Sequence, residues 1–130
     1  YRFANSPRTR WMSMSVAKSI TSTLFGAAVK QGLIALSDSI TRYVPALAGS
    51  AYEGVTVRDV LTMASGVRWN ETYTDPRSDL PRQFEAPISQ RRWSTIAVMR
   101  ALQPASSSGT VHNHSHGETS IVPWTCTLRK

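Results

Sequence analysis

Ser15 and Lys18 stand at the head of an unbroken run of small and apolar residues, and that run constrains the fold more than any other stretch of the chain. From Val16 to about Gln31 it reads as a helix. Ile20, Leu24, Ala27 and Ala28 recur at helical spacing, Val29 and Leu33 extend the side expected to be buried, and Gly32 supplies a C-terminal stop. A serine and a lysine three apart at a helix start lie on one face, one turn apart. A hydroxyl becomes a good nucleophile when a base removes its proton, and a lysine is that base only when its amine is neutral. Burial lowers a lysine pKa, and the positive end of a helix dipole acts the same way. The dipole also favours negative charge on Ser15 and on an oxyanion beside it. In a dry site the pair can form a nucleophile and its base; the competing reading is a serine that only caps the helix.

The surroundings favour chemistry. Ser13-Met14-Ser15-Val16-Ala17-Lys18-Ser19, followed by a small apolar helix, resembles the nucleophile segment of the serine beta-lactamase and penicillin-binding-protein superfamily. Within it, the class C beta-lactamase-like esterases and amidases, 6-aminohexanoate-dimer hydrolases among them, are the branch it resembles most. Leu33 to Pro45 resembles that family's turn into a short helix, with Asp38 or Ser37 placed to cap it, Ile40, Tyr43 and Val44 inward, and Pro45 ending it. A second segment, Val55-Thr56-Val57-Arg58-Asp59-Val60-Leu61-Thr62-Met63-Ala64-Ser65-Gly66-Val67, begins with a Thr56–Asp59 capping box and carries Val57, Val60, Leu61 and Ala64 on one face, with Gly66 as its stop. It resembles the family helix that packs against the nucleophile helix, which makes Asp38 and Ser65 structural rather than catalytic.

The third segment, Gly109 to Val122, resembles the stretch where the family carries its catalytic Tyr-x-Asn. Here the sequence departs from the pattern. His112 occupies the Trp position, His114 the Tyr position and His116 the Asn or Thr position. The tyrosine's part in moving a proton to the leaving group falls to His114 by position only. Imidazole titrates near neutral pH and can act as a base, but its nitrogens reach less far than a phenol oxygen. Ser115 is a candidate hydrogen-bonding partner. Read as alternate residues of a strand, His112, His114 and His116 share a face and could bind zinc or copper, with Glu118 the nearest acid. Strand neighbours two apart rarely converge on one ion, so no metal is assigned.

The three segments lie in order and carry the resemblance across residues 11–122. It implies an α/β (α+β) beta-lactamase-like serine hydrolase fold, of which this chain holds mainly the helical part and lacks the C-terminal strands. It further implies Ser15 as the acylated nucleophile, Lys18 as its base, the Ser15 N–H as first oxyanion donor, a small-molecule amide or ester as substrate, and no cofactor. The competing expectations are a catalytically inactive fragment and a His-rich metal-binding segment.

Between these segments, residues 1–14 read as irregular, with Trp11 and Met12 as core contacts beneath the helix start. Ala46 to Val55 reads as a small-residue loop. Arg68 to Ile88, with Pro76, Pro81 and Pro87, reads as a long polar loop of the kind that is often functional. Its first half resembles a loop near the substrate cleft of the nylon-oligomer-hydrolase-like branch, so Trp69, Tyr73 and Asp79 are candidate cleft-lining residues. Arg91 to Leu102 reads as a helix with Ile96, Met99 and Leu102 inward, ended by Pro104.

The net charge of +7 comes from scattered basic residues, with no basic helix, which argues against nucleic acid as the partner. A single cysteine, Cys126, excludes an internal disulfide and a multi-cysteine zinc site. No apolar run is long enough to span a membrane, and Tyr1-Arg2-Phe3-Ala4-Asn5 shows no apolar signal-peptide pattern. The resemblance stops at Val122. Residues 1–122 are therefore expected to form a partial domain and 123–130 a divergent tail, as in a truncated or frame-shifted product.

Overall fold

Helices capped by their own sequence carry the chain. The computed structural model describes residues 6, 8–10, 12–88, 94–123 and 125. Within these the order is α1 (Val16–Lys30), α2 (Ile40–Tyr43), a 3-10 turn (Pro45–Leu47), α3 (Val57–Leu61), α4 (Asp79–Ile88), α5 (Ser94–Arg100) and α6 (His116–Ile121). Among the described residues β-structure is confined to isolated antiparallel bridges, Ser39 with Thr56 and Val67 with Pro104.

α1 ends where the sequence indicates. Gly32 takes φ +69°, its N–H donates to Val29 O at 2.9 Å, and the Leu33 N–H donates to Ala28 O at 3.0 Å. This reversal satisfies the last carbonyls of the helix. Its buried side differs from the expected one. Phe25 is buried and Ala28 and Val29 pack against the core, whereas Ile20, Leu24 and Leu33 are exposed. Both faces of α1 are apolar, and the described residues cover the Lys18–Thr21–Phe25 side. Met12 is exposed rather than a core contact, and Trp11 lies outside the described residues.

Ser39 caps α2, with its hydroxyl accepting from the Thr41 N–H, in place of the expected Ser37 or Asp38. Asp38 is taken up instead by the Tyr43 hydroxyl and by Arg42 at 2.8 Å. Pro45 ends α2 and also opens the next turn, because its fixed φ suits a first helical position. The Thr56–Asp59 capping box forms as the sequence indicates, an arrangement worth about 1 kcal/mol. α3 stops at Leu61, earlier than expected. The reversal falls on Met63 at φ +55°, and the Ala64 N–H closes it by donating to Asp59 O at 2.7 Å. Gly66 serves another purpose. At φ +75° it passes so close to the 106–107 backbone that a Cβ there would lie 2.2 Å from Ser106 O.

α4 is the largest departure from the sequence reading, which placed a loop there. Asp79 starts it, and Pro81 sits in the first turn, where its missing N–H has no intrahelical partner to lose. Gln83 then ties α4 to α6 by donating to Ser120 Oγ at 2.6 Å. α5 buries Ile96 and Met99, as its spacing indicates, and Leu102 follows them inward; residues 91–93 lie outside the described part. On the opposite side Arg100 donates to Ala46 O and Ala48 O, each at 2.6 Å. The core joins Tyr43, Val44 and Leu47 to Tyr52, Val57 and Val60, and these to Met99, Ile121 and Val122.

Two crossings set up the site. Arg68 N–H donates to Gln103 O at 2.8 Å, and Asn113 N–H donates to Met63 O at 2.8 Å. Together they bring residues 111–116 alongside 63–71. α6 can lie against this crossing because Gly117 has no side chain; a Cβ there would meet Met99 Sδ at 2.4 Å and Trp69 Cζ3 at 3.1 Å.

Candidate active site

Ser15 precedes the first turn of α1 but does not cap it: its side chain accepts no hydrogen bond from the helix. Its hydroxyl instead receives one from Lys18 Nζ at 3.4 Å. The capping alternative raised by the sequence therefore does not hold, and the oxygen is available for chemistry. Among the described residues the Ser15 N–H donates to nothing. Met14 immediately before it sits at φ +47°, a costly conformation for a side-chain-bearing residue and one that recurs at functional turns.

Lys18 lines a small cavity of about 40 Å³ between α1, α3 and α6, with Thr21, Val60, Met63 and Thr119 among its neighbours. Burial holds its amine below the usual lysine value, while the Glu71 carboxylate pulls it upward. Ser15 itself is exposed.

Glu71 is the residue the sequence did not single out. Its Oε2 accepts from Trp69 Nε1 at 2.7 Å and from the His116 backbone N–H at 2.9 Å. Its Oε1 faces His116 Nδ1 at 2.5 Å, His114 Nε2 at 3.6 Å and the Tyr73 hydroxyl at 3.1 Å. Burial pushes this carboxyl up, but the donors from Trp69 and His116 outweigh it and hold the pKa below the usual glutamate value. One signal in the sequence pointed here: an acid flanked at two residues on either side by aromatics that carry N–H and O–H donors.

The candidate cleft residues separate accordingly. Trp69 is buried and Tyr73 exposed, and both donate to Glu71. Asp79 works elsewhere, accepting from the Asn70 N–H at 2.9 Å at the start of α4 and bordering a separate cavity of about 240 Å³ with Arg68 and Arg77. His114, at the family's Tyr position, is turned onto Glu71; no hydrogen bond joins it to Ser15 or Lys18.

The strand reading of 112–116 is corrected by α6, which begins at His116. Ser115 is its cap, accepting from the Glu118 N–H at 3.1 Å, and not a free hydrogen-bonding partner. The change of direction brings His114 and His116 together, ring centroids 5.6 Å apart, and leaves His112 exposed. Glu118 points into the core, where the Ser65 hydroxyl donates to it.

A serine whose hydroxyl, among the described residues, meets only a lysine one helical turn on, with short capped helices packed behind the pair, defines the helical part of a serine beta-lactamase-like domain. Comparison with known proteins agrees: the Beta-lactamase family profile matches residues 2–122, and the chain belongs to that family. It is 42% identical over 80 residues to the 6-aminohexanoate-dimer hydrolase of Paenarthrobacter ureafaciens, a match covering 62% of this chain and 20% of that protein. A beta-lactamase of Pseudomonas fluorescens is 29% identical over 102 residues, 78% of this chain and 25% of its own length. In three dimensions the chain superposes on a putative 6-aminohexanoate-dimer hydrolase from Bacillus anthracis with a TM-score of 0.72 at 16% identity, over 86% of this chain and 31% of the other. The fold is thus beta-lactamase-like, and the chain spans a fifth to a third of the length of these proteins.

Proposed function

We propose that this chain carries the nucleophile and base of a serine hydrolase that cleaves an amide or ester through an acyl-enzyme. Lys18 Nζ takes the proton of Ser15 Oγ as that oxygen attacks the substrate carbonyl carbon. The tetrahedral oxyanion is met by the Ser15 N–H at the positive end of α1. The protonated amine of Lys18 then returns its proton to the departing amine or alcohol, leaving an ester on Ser15 that water hydrolyses. The observation that carries this reading is the Ser15 hydroxyl, which caps no helix and lies 3.4 Å from a lysine amine whose pKa burial lowers. The relative named for hydrolysis of a 6-aminohexanoate dimer favours a short linear amide as the substrate class. His114 takes no step in this scheme, because its imidazole is engaged with Glu71.

The test is covalent labelling with a fluorophosphonate, read by mass spectrometry on the wild type and on Ser15→Ala. An adduct that maps to Ser15 and vanishes in the variant is the expected result. A folded chain that takes up no label is a non-catalytic member of the family.

A further inference from the structure

We propose that Glu71, His114 and His116 form a binding site for one divalent zinc ion, with Glu71 Oε1, His114 Nε2 and His116 Nδ1 as its ligands. Each of the three offers a donor atom within 4.8 Å of the others. Tetrahedral zinc, with bonds of about 2.0–2.1 Å, needs donors about 3.3 Å apart. His114 Nε2 already lies 3.6 Å from Glu71 Oε1. His116 Nδ1, now hydrogen-bonded at 2.5 Å, has to withdraw by less than about 1 Å to admit the ion.

The surroundings are those of a built site rather than a chance cluster. Glu71 is fixed by its other oxygen: Trp69 Nε1 and the His116 N–H both hold Oε2, so Oε1 points at the two imidazoles, with the exposed Tyr73 hydroxyl donating to it at 3.1 Å. Such outer partners orient metal ligands and raise their affinity. Accessibility is graded, with side chains 11% exposed for Glu71, 27% for His116 and 48% for His114, so an ion enters from the His114 side and keeps a water on its open face. Two imidazoles, one carboxylate and an open position suit zinc as a borderline acid. The strand-based set of three histidines is not this site, since His112 lies outside it and the acid comes from residue 71 instead of Glu118. Ser15 and Lys18 are not ligands, so the site stands independently of the hydrolase reading.

The test is titration of the EDTA-stripped 130-residue chain with zinc chloride by calorimetry, and with cobalt chloride by visible absorption. One equivalent should bind, and cobalt should give the intense visible bands of a four-coordinate site. Glu71→Gln and His114→Ala should each weaken zinc by about 100-fold, and Trp69→Phe, which removes an outer partner, by about 10-fold. His112→Ala should leave the affinity unchanged. Glu71→Gln keeps the shape and an acceptor oxygen, and His114 is exposed, so at least one variant reads the site in a folded chain. The proposal is overturned by millimolar binding, by a cobalt spectrum of the hexa-aquo type, or by an affinity that follows His112 as strongly as His114, which would mean only incidental capture by a histidine tract.

Discussion

Glu118 makes the stability of this chain depend on pH in a direction opposite to that of most carboxylates. It is 3% exposed, and among the described residues its Oε2 has no hydrogen-bond partner, nor has the hydroxyl of buried Tyr52. Burial raises its pKa, the hydrogen bond from the Ser65 hydroxyl opposes that in part, the negative charge of Asp59 adds a smaller upward push, and the result is about 7 against an ordinary 4.5. Between those two values the native state holds a proton that the unfolded chain has released. Stability is therefore fully present below pH 4.5 and is lost as pH rises through about 7, above which the loss is complete. At about 1.36 kcal/mol per pH unit, the interval from 4.5 to about 7 amounts to about 3 kcal/mol, a large share of a small domain's stability. Glu118→Gln keeps the shape and removes the titration. Urea unfolding followed by circular dichroism, at several pH values with EDTA present, gives both curves, and their difference isolates Glu118. Glu71 acts on the acid side with the opposite sign: its lowered pKa contributes stability that is present above 4.5 and lost as pH falls through the folded value. A wild type that does not lose stability relative to Glu118→Gln between pH 4.5 and 7 would refute the reasoning.

Gly66→Ala should destabilise the chain by about 2–4 kcal/mol, because the new Cβ combines a left-handed φ with a backbone clash against Ser106; an unchanged melting temperature would show that this crossing is looser than described. Lys18→Met should slow labelling of Ser15 by about 10²–10⁴-fold, the contribution of a positioned base. Equal labelling rates for the two proteins would assign the base elsewhere.

What the sequence disclosed about the fold was local. The Thr56–Asp59 capping box and the Gly32 reversal are written within a few residues, and both formed where expected. The inward side of α5 followed from spacing alone. α4 was missed because three prolines suggested a loop, although a proline in the first turn of a helix breaks no hydrogen bond. The buried side of α1 was misread for a different reason. Ile20 and Leu24 are as apolar as Phe25, so periodicity could not choose between faces; tertiary packing chose. The Met63 reversal was hidden because a methionine occupies a position that usually falls to glycine.

At the site, Ser15 and Lys18 were legible because they lie three residues apart, whereas Glu71 and His116 meet across 45 positions of chain and could not be. That second group matters to the first, since the charge on Glu71 raises the pKa of Lys18 against the effect of burial. A base works in its neutral form, so Glu71 holds back the lysine it faces. Glu71→Gln removes that charge without removing the acceptor for Trp69, and the pH profile of Ser15 labelling should then shift to lower pH, with faster labelling on its acid limb. The result counts only in EDTA, where no ion substitutes for the lost charge. A profile that stays in place would mean that Glu71 serves His114 and His116 alone, and that the two clusters share a crossing of the chain without sharing an electric field.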